Sequence, residues 1–335
     1  MDDPFEDALA DLRITGSLLL HETYARPWSI AVPGEPDLRA LLGLGRDARV
    51  IPFHLVRRHG FDVTFESGIP TRVNEPQVLI CPSGAPHRMS DGIAEHSVPF
   101  AEILSGRGLA PARASDPVKT ELLCGVFVLR ATPLNPLLAA LPPIMTVSTC
   151  EADGGPTLAA AAALLTASLS SSARNGFVAS RLLEVFCAEA IGAYRRAHAA
   201  ERPNWLRALS DPPVGAAIRL VHARPAEAWT VGRLGAEVGL SPSRFGARFR
   251  SAMGVSVMAY VFQWRANLAC RLLAGTGMSI PEIALAVGYE SLPAFARAFR
   301  AQVGQSPGFW RRMATKPLND AAPAAQSAAR AGVTT

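Results

Sequence analysis

The strongest constraint on this chain is an internal repeat. The stretch SPSRFGARFRSAMGVSVMAYV from Ser241 lies over SLPAFARAFRAQVGQSPGFWR from Ser291 at a constant offset of 50 residues. Ser241 and Ser291, Phe245 and Phe295, Phe249 and Phe299, Arg250 and Arg300, Gly254 and Gly304, and Ser256 and Ser306 coincide, with Tyr260 opposite Trp310. One supersecondary unit is therefore expected twice. Each copy reads as a helix entered through a serine cap and left through a glycine. The serine hydroxyl can accept from free amides of the first turn, Pro242 stands where a missing N–H costs nothing, and Gly254 or Gly304 suits a left-handed C-terminal residue. The two phenylalanines at i and i+4 predict a buried stripe.

Upstream of each copy lies a shorter helical stretch that closes on glycine: TVGRLGAEVG at Gly239 and SIPEIALAVG at Gly288. Ser279 and Glu282 have the spacing of a capping box. Short helix, glycine turn and capped second helix form a helix-turn-helix, here predicted over 230–254 and 279–304. Arg244 and Arg248 fall one turn apart, away from the phenylalanine stripe, and Arg297 points outward in the second copy. Guanidinium groups there can reach guanine edges or phosphates. VMAYVFQWRANLACRLLAG between the copies reads as one long helix, with Tyr260, Trp264, Leu268 and Leu272 near helical spacing, able to hold both units rigidly. From Trp205 to Arg312 there are thirteen Arg, no Lys and five acids, net +8, while the whole chain is +5. A basic module joined to a slightly acidic remainder predicts a polyanion partner for one half only, with double-stranded DNA the usual one.

PAEAWTVGRLGAEVGLSPSRFGARFR, YVFQWRANLACRLLAG and SIPEIALAVGYESLPAFARAFRAQVGQSPGFWRR together resemble the DNA-binding domain of AraC-type (AraC/XylS) transcriptional regulators. The resemblance implies base-reading positions at Ser243, Arg244, Gly246 and Ala247 in the first recognition helix and at Pro293, Ala294 and Arg297 in the second. Several of these are small or apolar, so readout is expected to rest on few side chains plus shape and phosphate contacts. A regulator of transcription initiation has RNA polymerase as a further candidate partner.

Residues 12 to about 130 are broken every few positions by turn formers between short apolar runs: RITGSLLLH, VIPFHLV, FDVTFES and QVLICPSG. Many short strands predict a sandwich or small barrel. Pro82-Ser-Gly84-Ala-Pro-His87 resembles the second cupin motif, and PFHLV with His54 resembles the strand carrying the first cupin histidine. This half is thus similar to the cupin-type sensor domain of one branch of AraC-type regulators. His54 and His87 are candidate metal ligands, with His21, Glu22 or His59 as thirds. The full H-x-H plus Glu set of a metal cupin is missing, so no cofactor is required and an enzyme is not expected. The branch includes regulators that respond to oxidants through cysteine, which draws Cys81 and Cys124 into the candidate sensor site.

NPLLAALPPIMTV, 135–147, reads as a short helix stopped by Pro142 and Pro143 that closes the first domain. From Thr157 the pattern is helical through Leu169, breaks at SSSARNG, and resumes in FVASRLLEVFCAEAIGAYRRAH, where Leu182, Val185, Phe186, Glu189 and Tyr194 share a face. That helix packs on the barrel or forms a homodimer interface. With 49% hydrophobic and 18% charged residues, the 335-residue chain can bury two cores. No run is long and apolar enough to span a membrane, the start MDDPFEDALADL is acidic where a secretion signal is basic, and five cysteines lack CxxC spacing. A cytoplasmic location with reduced thiols is expected.

The readings combine into a two-domain α+β protein. Residues 1–150 form an N-terminal cupin-like β-barrel sensor domain, 151–204 a helical linker with a candidate dimerisation role, 205–313 an all-α DNA-binding domain with two helix-turn-helix motifs, and 314–335 a disordered tail. The expected function is sequence-specific DNA binding that regulates transcription, with the barrel sensing a small-molecule effector or an oxidant. Against it stand a cupin enzyme fused to a DNA-binding half and a non-specific DNA-bending protein.

Overall fold

The computed structural model describes residues 3–45, 48–66, 68–130, 134–170, 176–198 and 203–314. The chain opens with helix α1 (Pro4–Ala10), strands β1 (Arg13–Ala25) and β2 (Trp28–Val32), and helix α2 (Glu35–Leu41). Strands β3 (Arg49–Arg58), β4 (Phe61–Phe65), β5 (Pro70–Val73), β6 (Gln77–Ile80), β7 (His87–Asp91) and β8 (Val98–Pro99) follow, then helix α3 (Phe100–Leu104) and strand β9 (Lys119–Arg130). After helix α4 (Pro136–Ala140) come strand β10 (Met145–Ser148) and helices α5 (Glu151–Gly154), α6 (Pro156–Ser170) and α7 (Gly176–His198).

The strands form two five-stranded sheets, ordered β1-β9-β3-β6-β10 and β5-β4-β7-β2-β8. The expected barrel is thus a cupin-like pair of sheets packed face to face, not one closed cylinder. Val50, Val56, Leu79, Leu122 and Val126 from the first sheet meet Trp28, Ile30, Phe61, Val63 and Met89 from the second in one apolar core. The first sheet is buried on its other face too, which is why β3 reads as an unbroken apolar run rather than an alternating one. There Phe53 stacks on Phe127 at 4.5 Å, and Phe186 of α7 closes on both rings at 6.0 and 6.4 Å. Gly16 and Gly125 make this approach feasible. A Cβ at Gly16 would lie 2.7 Å from the Leu183 Cβ, and one at Gly125 2.7 Å from the Phe53 ring.

Helix α7 therefore packs on the sheet, but with a face different from the one expected. Leu183, Phe186, Cys187, Ala190 and Ile191 are buried, whereas Val185 is 45% exposed. Burial follows the i, i+3, i+4, i+7 stripe that includes small residues, and a reading based on the larger apolar side chains is rotated by one position. The stretch 135–147, expected as a short helix, is helical only in α4, and its end belongs to β10, which pairs with β6 from Met145↔Ile80 to Ser148↔Gln77.

Compact units divide the chain otherwise than 1–150, 151–204 and 205–313. Arg13–Arg130 and Leu141–Ala197 belong to the β-rich unit, so α6 and α7 are part of it and not a separate linker. The described residues up to Leu12 and within Ala131–Ala140 group with those of His198–Asn319 in a helical unit. Its helices are α1, α4, α8 (Trp205–Ser210), α9 (Pro212–Ala223), α10 (Val231–Glu237), α11 (Pro242–Met253), α12 (Val257–Gly275), α13 (Ile280–Ala286), α14 (Leu292–Val303) and α15 (Pro307–Ala314). The Asn135 side chain, 1% exposed, accepts from the Leu137 amide at 3.0 Å and donates to the Ala8 carbonyl at 3.0 Å, joining α1 to α4. Asp11 pairs with Arg271 at 2.7 Å. The residues expected as a disordered tail, from 315 on, lie outside the described residues.

Helix α12 runs through the middle of the helical unit and buries Tyr260, Trp264, Arg265, Asn267, Ala269, Cys270 and Leu273. The Tyr260 hydroxyl accepts from Trp205 Nε1 at 2.9 Å and donates to His222 Nε2 at 2.7 Å. Burial, and then Arg271, lowers the His222 pKa to about 3, so the ring is neutral and free to accept. It stacks on Trp264 with centroids 3.4 Å apart.

Glycines at positive φ provide a graded test of this packing. Gly288 has φ +87, and a Cβ there would fall 2.8 Å from Ala226 Cα and 2.8 Å from an Arg265 nitrogen, whereas Gly304 has φ +78 with open space around it. Left-handed backbone costs a non-glycine residue roughly 1–2 kcal/mol. Gly304→Ala is expected to lose about that much in urea unfolding. Gly288→Ala should lose more, and equal losses would show that the close approach carries no energy.

Candidate DNA-binding face and buried histidine site

Both predicted helix-turn-helix units form. In the first, α10 ends in a turn with Gly239 at φ +70 and α11 follows; in the second, α13 ends at Gly288 and α14 follows. The phenylalanine stripes are inside: Phe245, Phe249, Phe295 and Phe299 are all buried, and each pair touches edge to face or tilted at 5.8 and 5.7 Å. Gly254 and Gly304 are left-handed and end their helices as expected. The capping box is present, with Glu282 accepting from the Ser279 amide at 2.7 Å and Ser279 from the Glu282 amide at 3.4 Å. Those hydrogen bonds hold the exposed Glu282 carboxyl below its usual range.

The two caps differ. Ser241 accepts from the Arg244 amide at 3.4 Å, but Ser291 makes no cap hydrogen bond. Pro242 occupies the first helical position, whereas Pro293 occupies the second and removes one of the two amides a cap side chain normally engages. The expectation of a serine cap in each copy therefore holds for the first only.

Ser243, Arg244 and Ala247 are exposed on α11 and Gly246 is half-buried; Pro293 and Arg297 are exposed on α14 and Ala294 is half-buried. Arg244 and Arg297 carry no ion pair among the described residues. Arg248 differs: its Nε lies 3.0 Å from both carboxylate oxygens of Asp211, which also caps α9 by accepting from the Val214 amide at 3.2 Å. Its head is braced against the scaffold while half its side chain remains exposed.

Sequence patterning did not single out Arg265. Its guanidinium donates to the carbonyls of Pro225 at 2.9 Å, Glu227 at 2.8 Å and Gly288 at 3.3 Å, and lies 5.6 Å from the Tyr289 ring centre. A lone charge inside the apolar stretch YVFQWRANLAC was the available signal.

The β-rich unit brings His54 and His87 together across its core. His54 sits on β3 opposite Cys124 of β9, and His87 begins β7 in the other sheet, opposite Val32 and Phe65. Their Nε2 atoms are 2.8 Å apart. The turn before His87 needs Gly84: its φ is +63, and a Cβ would lie 2.5 Å from Glu35 Cβ. His87 Nδ1 is 2.9 Å from the Ala85 carbonyl and His54 Nδ1 is 3.1 Å from Cys124 Sγ. The tautomers follow, because a carbonyl only accepts. His87 donates from Nδ1 and accepts at Nε2; His54 donates from Nε2 and accepts from the Cys124 thiol at Nδ1. Burial lowers both imidazole pKa values, with the His87 ring adding to the effect at His54 and the Ala85 carbonyl opposing it at His87, so the pair is neutral.

A third donor completes the group, and it is Cys81. Sγ of Cys81 and one nitrogen each of His54 and His87 lie within 4.8 Å of one another, all buried. The thirds expected from the sequence are elsewhere: His21 pairs with Glu121 at 3.1 Å on the sheet surface, Glu22 is its neighbour on β1, and His59 stands exposed at φ +57 after β3. Two imidazoles and a thiol without a carboxylate do not fit the H-x-H plus Glu set of a metal cupin. They do fit a cation that prefers nitrogen and sulfur. Burial pushes the Cys81 and Cys124 thiols up, which holds both protonated and unreactive.

Comparison with known proteins gives a cupin family model matching residues 3–195 and a helix-turn-helix domain model matching residues 234–313. The chain is 26% identical over 282 residues to the HTH-type transcriptional regulator AlkR of Acinetobacter baylyi, which covers 80% of this chain and 89% of that one. It is 37% identical over 114 residues to a Streptomyces lividans protein named as an AraC-like transcription regulator, covering 34% of this chain. The match spans 38% of that relative's length and 36% of a second one from Streptomyces antibioticus. Among solved structures, the DNA-binding domain of AdpA in complex with a target DNA is 30% identical over 30% of this chain and 91% of that one, at a TM-score of 0.29.

The unequal caps give a paired expectation. Ser241→Ala should lose about 1 kcal/mol of stability, the usual worth of an N-cap, and Ser291→Ala close to none. Equal losses in denaturant titrations of the two variants would contradict the difference in capping.

Proposed function

The chain belongs to the cupin family and, more narrowly, to the AraC-type regulators that join a cupin domain to a double helix-turn-helix domain, and from that membership we propose that it binds double-stranded operator DNA sequence-specifically and controls transcription there. One observation carries the reading. Two recognition helices turn free arginines, Arg244 and Arg297, to the surface, and α12 with Arg265 ties both units to one scaffold.

In this reading Arg244 and Arg297 contact base edges, and Ser243, Gly246, Ala247, Pro293 and Ala294 let the helices approach the groove closely. Arg248 serves the phosphate backbone, since a head held by Asp211 is placed for position and not for base choice. The β-rich unit receives the signal, and RNA polymerase and a second copy of the chain are further partners. No helix among the described residues is long and apolar enough to cross a membrane, which agrees with action in the cytoplasm. Neutral imidazoles and protonated thiols favour a binding role for the cupin core over catalysis, and over direct attack by an oxidant.

Selection of genomic fragments by the full-length chain at physiological salt tests the function. One enriched motif spanning two successive major grooves supports a specific regulator; no enrichment, with binding that vanishes as salt is raised, points to a non-specific bending protein. On the selected site Arg297→Ala is expected to cost about 1–3 kcal/mol, roughly tenfold to a hundredfold in affinity, with little change on random DNA. An equal loss on both would make Arg297 a phosphate contact.

A further inference from the structure

We propose that His54 Nε2, His87 Nε2 and Cys81 Sγ form a buried site for one thiophilic closed-shell cation, Zn2+ or Cu+. The three donors come from both sheets of the sandwich and converge within 4.8 Å. Their surroundings are already those of ligands and not of chance neighbours. A metal-bound imidazole uses one nitrogen for the metal and donates the other N–H to a fixed acceptor. His87 meets that condition through Nδ1 and the Ala85 carbonyl. His54 meets it through Nδ1 and Cys124 Sγ, which can accept as well as donate. Both Nε2 atoms then face the same point, 2.8 Å apart.

Donor chemistry selects the class of ion. Iron(II) and manganese sites of the cupin type draw on carboxylate, and the group of donors here contains none. Magnesium and calcium require oxygen ligands, which are equally absent from it. A thiolate with two imidazoles suits Zn2+ and Cu+. Cys124 stays outside the donor set because its sulfur is turned to the far nitrogen of His54.

The proton balance is simple. On loading, the Cys81 S–H bond breaks, its electron pair forms the sulfur–metal bond, and the proton leaves to water. The neutral His54 ring keeps one proton but carries it on Nδ1 in place of Nε2, while the Cys124 thiol keeps its own and changes from donor to acceptor. No oxidant or reductant is needed. The site stands on these side chains alone; its use as the regulator's input rests on the sensor reading above.

The test uses the full-length chain, purified metal-free under reducing conditions and loaded separately with Zn2+ and, without oxygen, with Cu+, each against a competing chelator. After desalting, elemental analysis should find one equivalent of at least one of the two ions per chain, and the two arms identify which. Cys81→Ser and His87→Gln should each reduce retention at least tenfold, and Cys150→Ser, at an exposed cysteine, should not. Loss of the His54 hydrogen-bond partner in Cys124→Ala should weaken retention by roughly tenfold to a hundredfold. Because core variants can fail to fold, X-ray absorption of the loaded wild-type protein is read as well and should give a mixed nitrogen and sulfur shell. Failure to retain either ion, a shell without sulfur or of sulfur alone, or full retention by a folded Cys81→Ser variant overturns the site. DNA binding by loaded and metal-free protein is then compared. An occupied site with unchanged DNA binding upholds the site and removes its role as the input.

Discussion

The Arg265 guanidinium fixes how the two helix-turn-helix halves of the helical unit stand to each other. It projects from the middle of α12 and donates to Pro225 and Glu227, just ahead of the first helix-turn-helix, and to Gly288, the turn of the second. A buried charge is costly unless its donors find partners, and here three backbone carbonyls supply them, of which that of Glu227 also accepts from the Trp229 amide at 2.7 Å. A lysine ammonium has no planar fork to span three carbonyls on two segments. Gly288 belongs to the same device, since a side chain there would occupy the guanidinium's own space. Under the proposed function, two recognition helices can read one stretch of DNA as a unit only if their separation is set in advance, and this contact sets it.

Chain connectivity ties the β-rich unit to this scaffold at more than one point. Crossings lie at residues 12 to 13, 130 to 131, 140 to 141 and 197 to 198. Strands β1 and β9 pair from Arg13↔Arg130 onward, so two adjacent strands of one sheet lead directly into segments of the helical unit. Strand β9 also carries Cys124, the partner of His54.

What could be read from the sequence was whatever repeats or alternates locally. The 50-residue offset put the phenylalanine stripes and both terminal glycines in place, S-x-x-E spacing the capping box, and the resemblance of PFHLV and PSGAPH to the cupin motifs put His54 and His87 in one site. What escaped depends on distant partners. Helix α1, seven residues long, has too few turns to show a periodicity, and although a short helix was read where α4 lies, only packing assigns the two to the helical unit. Cys81 was noticed as a thiol but not as a metal ligand, because its place beside two histidines comes from pairing between β3 and β6, 25 residues apart at His54↔Leu79. The missing cap at Ser291 turns on a one-residue shift of proline inside an otherwise matching repeat.

The polar line through the sandwich bears on why the cupin core is not simply apolar. Cys124, His54, His87 and the Ala85 carbonyl form a run in which each group has one compatible role, so the tautomers are locked and no buried donor on it is left over. Such a line adds little net stability over well-packed hydrocarbon, because each hydrogen bond replaces one made to water. It does fix register, since only one alignment of β3, β9 and β7 satisfies all its members, and a slip by one residue would bury two unpaired imidazoles. The same single-solution character means that anything taking the shared Nε2 position must reverse the roles of His54 and Cys124 together.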